Sequence, residues 1–402
     1  VINILYNDHQ QVNYYAPGNF PQNVSGKDVR QMIEDGNYLW VATEDGGLNK
    51  FNKQTEKFSH IKHVRGSREG LSNNNVHALM KDRENNLWIG SFEGGINVMN
   101  MSTNNITRIN TENTPALKSN MVFCFVQDEK GIIYIGTTAG LNLYDPRRKE
   151  FYVVDHPILS RKFIYNLMID SEGNIWVSSR TDGLFCFDKQ TKTIKHYSAG
   201  SHENALHDNT IMITYEDSFN NIWVGTNIGG LYLFNKETEE FKQFDVPGMC
   251  VSAIIEDNNK MLWISTEKGL VRMNLLDFKM DHFTKEDGLR TDQFNYNSAL
   301  KTAEGLLFFG TINGLISFNP ELMGQKRIEP KVVLSKLFIL GEEVVAGTQN
   351  SPLKTNLEET EKIQLDYRQA NAFAIEYAAI SYGHSKSIRY AVKMDEIGRA
   401  HV

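Results

Sequence analysis

The chain has 402 residues, of which 41% are hydrophobic and 23% charged, a composition typical of globular proteins. Its mean hydropathy is −0.41, and no run of about 18 apolar residues occurs, so we expect no membrane span within it. The net charge is −7 and no basic cluster is present, which argues against a nucleic-acid-binding surface. Three cysteines without metal-ligand spacing predict neither a disulfide scaffold nor a metal site, and we expect no cofactor.

A segment with one aromatic residue between apolar neighbours, such as NLWIG, recurs seven times along the chain. Successive copies lie 40 to 48 residues apart. The aromatic residues at the shared position are Trp40, Trp88, Tyr134, Trp176, Trp223, Trp263 and Phe308. Because one residue type returns at one phase of the repeat, we expect these side chains to be structural and to pack between neighbouring units.

Each copy contains four short elements that are rich in β-forming residues. The first is an apolar strand such as VHALMKD (76–82), and the second follows a polar turn such as DSEGN (170–174). Asp in such a turn can bond its own backbone, and Gly or Asn can adopt positive φ. Gly94-Gly95 allows a tight hairpin before the third strand, and a segment such as TEEFKQF closes the copy. Four strands in about 45 residues predict an all-β fold with a seven-bladed β-propeller over residues 1–323.

The two ends of the repeat region are incomplete. The seventh copy stops at FNP (318–320) without a fourth strand, whereas residues 1–15 resemble the last strands of a copy whose start is absent. Two interpretations remain open. Residues 1–15 supply the strand that closes the seventh blade, or they are the end of an upstream blade.

The pattern changes after residue 320, where longer strands with period-2 alternation are predicted at 330–344, 362–367, 372–382 and 387–394. We predict that residues 324–395 form the first part of an immunoglobulin-like β-sandwich, which stops too early to close. The final EIGRAHV fits no strand pattern and resembles the translation of a sequencing adapter. We therefore expect residues 396–402 to be a non-native tail.

Two segments carry a resemblance to a known family. The copy SNNNVHALMKDRENNLWIGSFEGGINVMN (72–100) is similar to the two-component regulator propeller repeat, and NAFAIEYAAISYGHSKSIRYAVKM (371–394) resembles the three-tyrosine domain that follows such propellers. The positions that match the second domain are Asn371, Phe373, Tyr377, Ala378, Ala379, Tyr382 and Tyr390. The resemblance implies the periplasmic sensor region of a Bacteroides-type hybrid two-component system.

Further expectations follow from this resemblance. The ligand would be an oligosaccharide from glycan breakdown, and the full-length receptor would control polysaccharide-utilisation genes through a membrane helix and a histidine kinase. Neither part lies in this sequence, so we predict no enzyme activity and no catalytic residues in the chain. The full-length receptor is expected to be a homodimer whose membrane anchor lies in the parts that are absent here.

Candidate ligand residues come from two positions of each copy that do not repeat their residue type, although their neighbours do. The start of the first strand and the hairpin between the second and third strands should lie at one mouth of the ring, where function is commonly added to a scaffold. The candidates are Arg30, His77, Phe92, Phe123, Tyr165, Arg180, Asn227 and Asn297. Aromatic faces can stack on a sugar, and Arg30 and Arg180 could hold a carboxylate, so an acidic or sulfated sugar is conceivable. The structural alternative is that these side chains merely line the channel.

Two other functions remain as alternatives. A protein-binding scaffold would need no sugar site at all. A propeller glycosidase or lyase would need acidic residues at a fixed separation, and Glu44 and Glu267 are the acids at the mouth. Most other acidic residues fall in the repeated turns at the opposite face, which favours a role in solubility.

Overall fold

The fold comes from a computed structural model, which divides the chain into a propeller, Gln10–Met323, and a second unit that contains residues 324–402. The structure describes residues 12–323, except positions 68, 155, 189–190, 192 and 203, and residues 331–380, except positions 350, 361 and 371. The described residues contain no helix with the length and apolar character needed to cross a membrane.

The propeller strands are numbered in chain order, and each blade is one antiparallel sheet of four strands. The first strand is β1 (Val12–Tyr15). Blade 1 consists of β2 (Val29–Asp35), β3 (Tyr38–Thr43), β4 (Gly47–Asn52) and β5 (Lys57–Ile61), and blade 2 of β6 (Val76–Lys81), β7 (Asn86–Ser91), β8 (Gly95–Asn100) and β9 (Ile106–Ile109). Blade 3 consists of β10 (Val122–Gln127), β11 (Ile133–Thr137), β12 (Gly140–Asp145) and β13 (Glu150–Val153). Blade 4 consists of β14 (Ile164–Ile169), β15 (Ile175–Ser179), β16 (Leu184–Phe187) and β17 (Ile194–Tyr197), and blade 5 of β18 (Ile211–Glu216), β19 (Ile222–Thr226), β20 (Leu231–Asn235) and β21 (Glu240–Phe244). Blade 6 consists of β22 (Val251–Glu256), β23 (Met261–Thr266), β24 (Gly269–Asn274) and β25 (Met280–Phe283). Three strands of blade 7 are β26 (Phe294–Lys301), β27 (Leu307–Thr311) and β28 (Gly314–Phe318).

The ring closes in the seventh blade with a strand from the start of the chain. β1 pairs antiparallel with β28, with Val12 opposite Phe318 and Tyr15 opposite Leu315. Val12 packs in the core between blades 6 and 7, while Tyr15 packs in the core between blades 7 and 1. The structure therefore shows residues 12–15 as the fourth strand of blade 7; residues 1–11 lie outside the described part.

Seven hydrophobic cores hold the propeller together, and each lies between two neighbouring blades. The repeated aromatic residue of every second strand points into the core shared with the next blade; these residues are Trp40, Trp88, Tyr134, Trp176, Trp223, Trp263 and Phe308. A single blade cannot bury both of its faces, so this repeated packing makes the fold depend on the complete ring. The predicted fold class, an all-β seven-bladed propeller followed by part of a sandwich, is confirmed.

A hydrogen bond to the indole fixes the turn before most of these aromatic residues. In blades 2, 4, 5 and 6, the turn Asp lies six residues before the Trp, and its Oδ2 accepts the Trp Nε1–H at 2.8–2.9 Å. The same Asp side chain accepts backbone N–H groups of the turn; in blade 4, Asp170 Oδ1 accepts from Asn174 at 2.8 Å. Blade 1 has a shorter turn, and its buried Trp40 Nε1 has no partner among the described residues.

The second unit contains a small sheet with the strand order β30-β29-β31, formed by β29 (Lys331–Ile339), β30 (Glu342–Glu343) and β31 (Phe373–Ile380). Leu337, Leu353 and Leu357 form its small core. This sheet fits part of a sandwich. The matched positions Asn371, Tyr382 and Tyr390, the predicted strand at 387–394 and the tail at 396–402 lie outside the described residues.

The strand predicted at 362–367 is wrong. Positions 362–366 form no strand, and Tyr367–Ala370 forms a single helical turn, α1. Asp366 and Gln369 explain this difference because each side chain accepts the backbone N–H of the other residue, at 2.8 and 3.0 Å. Such a reciprocal cap favours a helix start over an extended chain.

Candidate functional site

A β-bulge at the start of the innermost strand points one residue of each blade into the mouth of the channel. In blades 1 to 6 the register with the second strand shifts by one residue directly after the first paired position. The bulged residues are Arg30, His77, Phe123, Tyr165, Met212 and Ser252. A bulge leaves its extra residue out of the ladder and redirects its side chain. The positions whose residue type varies between the copies are therefore those that lie outside the hydrogen-bonded strand pairing.

Blade 7 has a longer bulge, which changes the mouth. Phe294 lies opposite Thr311, whereas the next paired residue, Ala299, lies opposite Phe309. The residues between them include Tyr296, which is not among the candidates predicted from the sequence, and the candidate Asn297, which is half-buried with a positive φ of 54°. The longer spacing between Phe294 and the apolar end of this strand was the only sequence signal for Tyr296.

Tyr296 reaches across the channel to blades 2 and 4. Its hydroxyl lies 2.7 Å from Nδ1 of His77. Its ring centre lies 4.3 Å from that of Tyr165. Burial raises the pKa of both tyrosines, so both hydroxyl groups stay protonated at neutral pH. Tyr296 thus connects three blades across the ring.

The floor of the mouth is aromatic. Phe123 is 5% exposed and contacts the rings of His77 (4.9 Å between centres), Phe163 (4.8 Å) and Tyr165 (5.9 Å). Phe92 lies 5.9 Å from His77. Phe92 and Phe163 are only half-buried, so their rings offer apolar surface that a ligand can cover.

Arg30 is held on three sides and is not a free cation. Its Nη2 pairs with Glu44, its Nη1 donates to Asn295 Oδ1 at 3.4 Å, and its guanidinium lies 5.0 Å from the centre of the Tyr296 ring. Burial acts to raise the pKa of Glu44, but the hydrogen bond and charge of Arg30 bring that pKa below its usual value. The positive charge at this side of the mouth is therefore already balanced.

His77 is buried and neutral at physiological pH. It is 7% exposed, and its burial, together with the charge of Arg30, lowers its pKa to about 4, against the opposing effect of Glu44. Its Nδ1 bonds to Tyr296, but its Nε2 is buried without a partner in the described part of the chain.

The other two candidates lie at the rim. Arg180 is exposed, and its guanidinium lies 5.4 Å from the centre of the Phe163 ring; among the described residues it has no carboxylate partner. Asn227 is exposed at the hairpin of blade 5 and shows no side-chain contact with the cluster within the described chain. The structure thus brings together Arg30, His77, Phe92, Phe123 and Tyr165, and joins Arg180 to them through Phe163.

The acids at the mouth are engaged in structural bonds. Glu44 pairs with Arg30, and Glu267 accepts the backbone N–H groups of Met249 and Cys250, each at 2.8 Å. In the described residues, no group of three or more His, Cys, Asp and Glu side chains could hold a metal ion.

A polar cavity lies at the opposite end, between blades 5 and 6. Its lining includes Glu216, Asp217, Glu256 and Asp257. These side chains serve the blade-to-blade contacts, since Glu256 accepts from the backbone N–H and hydroxyl of Ser218 at 2.7 and 2.6 Å. This cavity therefore belongs to the scaffold.

The repeat matches a known family. The profile of the two-component regulator propeller family matches residues 70–93, 116–139 and 158–181, which correspond to the start and second strand of blades 2, 3 and 4. These segments are two-component regulator propeller repeats.

Relatives of known name support this assignment. Histidine kinase P4 of Formosa agariphila is 28% identical over 374 residues, which cover 89% of this chain and 27% of the relative. The extracellular domain of a hybrid two-component system of B. thetaiotaomicron has a TM-score of 0.60 and 19% identity, and the match covers 91% of this chain and 51% of that one. This chain therefore spans about a quarter of the curated relative and half of that domain.

Propellers of other functions share the fold. PorZ, a surface component of the type-IX secretion system of Porphyromonas gingivalis, has a TM-score of 0.61 at 17% identity, covering 82% of this chain and 54% of PorZ. Virginiamycin B lyase of Staphylococcus aureus has a TM-score of 0.57 at 10% identity, covering 76% and 98%. These likenesses show the propeller fold alone.

Proposed function

We propose that this chain is the ligand-sensing, periplasmic part of a hybrid two-component receptor and that its ligand is an oligosaccharide bound at the mouth of the propeller. The receptor would use this signal to control polysaccharide-utilisation genes, and it would be anchored and dimerised through parts outside this chain. The aromatic floor is the observation that carries the proposal.

The floor combines the surfaces that a sugar needs. The apolar face of a pyranose can stack on Phe92 or Phe163, while His77, Arg30 and Arg180 offer hydrogen-bond donors at its edge. The scaffold around these residues is rigid, because every inner strand is packed between two interblade cores. A rigid scaffold of this kind suits recognition.

A thermal-shift screen tests this function. The purified chain is heated with oligosaccharide digests of plant and algal polysaccharides, and at least one digest should raise its melting temperature, since ligand at 100 times its Kd stabilises by about 2.7 kcal/mol. Phe163→Ala and Arg180→Ala should abolish or reduce that shift. Arg148→Ala, on an exposed turn of blade 3, is the matched control and should keep it.

The screen can also refute the proposal. If no digest shifts the melting temperature, or if Phe163→Ala and Arg180→Ala respond like the parent chain, the mouth is not a sugar site.

A protein-binding scaffold is the second candidate. Ile228 is 58% and Met249 60% exposed at the mouth side of blades 5 and 6, and a hydrogen bond of 2.9 Å joins Gly230 N–H to the Met249 carbonyl. Neighbouring exposed apolar side chains favour a protein contact. For a protein-binding scaffold, no sugar in the screen would shift the melting temperature.

A further inference from the structure

Of the five buried side-chain polar atoms that have no hydrogen-bond partner in the described part of the chain, three lie near the Glu44 carboxylate, at the junction of blades 1 and 2. They are Nε of Arg30, Oδ1 of Asn75 and Nε2 of His77. All three side chains lie around one carboxylate: Glu44 pairs with Arg30, and Asn75 and His77 both lie close enough to Glu44 to lower its pKa. We call Arg30, Glu44, Asn75 and His77 the polar notch.

The notch presents both donors and an acceptor. The Arg30 Nε–H donates, and the Asn75 Oδ1 accepts. When His77 Nδ1 accepts the hydrogen bond that the Tyr296 hydroxyl donates, the ring proton lies on Nε2, which is then a second donor. Unpaired buried polar atoms are costly, so a ligand that satisfies them gains both affinity and selectivity. A pair of hydroxyl groups, which both accept and donate, complements this set.

The charge balance of the notch disfavours an acidic ligand. The single positive charge of Arg30 is already matched by Glu44, and Asp28 lies close enough to both to interact with their charges. A ligand carboxylate would have to enter beside Glu44, where like charges repel in a poorly solvated site. The unpaired Arg180 lies at the rim, beyond Phe163.

Tyr296 covers the notch. Its ring lies on the Arg30 guanidinium, 5.0 Å from Cζ to the ring centre, and its hydroxyl holds His77 Nδ1. It belongs to the long bulge of blade 7, outside the regular ladder, and Asn297 beside it has left-handed backbone. Because Tyr296 lies between the paired residues Phe294 and Ala299, its side chain can leave Arg30 and His77 without breaking a strand pair.

We propose that the polar notch binds neighbouring hydroxyl groups of an uncharged sugar unit, with Tyr296 as the lid that turns aside to admit it. This inference rests on the proposed sugar-sensing function and names its substrate class. It replaces the acidic sugar suggested by the arginine residues alone.

The test compares matched neutral and acidic sugars by calorimetry on the full chain. The probes are trimers of mannose and galactose, and trimers of mannuronate and galacturonate. At least one neutral trimer should bind, and its acidic counterpart should bind at least tenfold more weakly. His77→Phe and Asn75→Ala should each weaken the neutral trimer at least fivefold, whereas His282→Phe, on the outer strand of blade 6, should not.

Tyr296→Phe distinguishes a lid from a merely structural residue. It keeps the ring but loses the bond that holds the lid on His77, so the affinity for the neutral trimer should rise several-fold. A structural residue would leave affinity unchanged or lower it. The melting temperature of each variant shows that it is folded.

The outcomes separate this inference from the proposed function. Tighter binding of an acidic trimer, or binding that depends on Phe163 but not on His77 and Asn75, contradicts the binding of a neutral sugar in the polar notch. Either result leaves the proposed sugar-sensing function standing. Failure of all four trimers, when a longer digest still binds, also overturns the notch. Failure of every trimer and every digest overturns both proposals.

Discussion

At the scale of single residues, the mouth shows what the sequence can and cannot reveal. Arg30 and His77 could be selected because their positions break an otherwise repeated pattern. Their partners could not: Tyr296 lies in a bulge whose length changes the register, and its contact with His77 joins residues that are 219 positions apart. The sequence placed both Arg30 and Glu44 at the mouth, but it did not predict that they pair with each other.

The lowered pKa of His77 predicts that the propeller loses stability in acid. The unfolded chain binds a proton at a pKa near 6.5, and the folded chain only near 4, so the unfolded state holds more protons between these values. Stability should therefore fall as the pH drops from about 6.5 to about 4, by up to about 3 kcal/mol from His77 alone.

Denaturant unfolding of the parent chain and His77→Phe at pH 7.5, 6.0 and 5.0 measures this effect. The difference in unfolding free energy between the two chains should move in favour of the variant at the lower pH. A difference that is constant across the three pH values would show that His77 has the same pKa in the folded and unfolded states and would contradict the lowered pKa.

At the scale of the strand and turn, the repeated Asp does more than shape its own backbone. The sequence predicts the turn, because Asp, Gly and Asn are the residues that tight turns use. The bond from Asp Oδ2 to the indole six residues later was not predicted, since it depends on how the two strands align. Once seen, the spacing D-x5-W is a usable sequence signal for it.

Asp170→Ala should destabilise blade 4 by about 2–3 kcal/mol, because it leaves the Trp176 Nε1–H and the N–H of the turn without their acceptor. Asp35→Ala in blade 1 is the control. Asp35 pairs with Lys81 at the surface and makes no indole bond, so its loss should cost less than about 1 kcal/mol. Thermal unfolding of both variants checks this, and equal losses would contradict the role given to the indole bond.

At the scale of the whole molecule, the repeat predicted the number of blades, because the strand pattern within each blade is local in sequence. Ring closure was left undecided, since the pairing of β1 with β28 joins segments about three hundred residues apart and no local pattern reports it. The strand predicted at 362–367 is absent because of a local contact. The reciprocal hydrogen bonds between Asp366 and Gln369 favour a helical turn, and the alternating pattern does not report them.

A charge placed on β1 tests the closure. Tyr15→Asp puts a carboxylate into the core between blades 7 and 1, against Phe51 and Phe58, and should lower the melting temperature by roughly 5 °C or more. Asn13→Asp adds the same charge to an exposed position of the same strand and should have little effect. If both variants melt with the parent chain, β1 does not close the ring in solution.

Blade 7 combines two features that the other blades lack. It carries Tyr296 on its innermost strand. Its third strand, β28, is the last strand of the propeller in chain order and pairs with β1. If the proposed sugar displaces Tyr296, it acts on the same sheet from which the chain leaves the propeller. In the proposed sensor, the signal would then need to pass through only one blade, while the other six blades stay fixed.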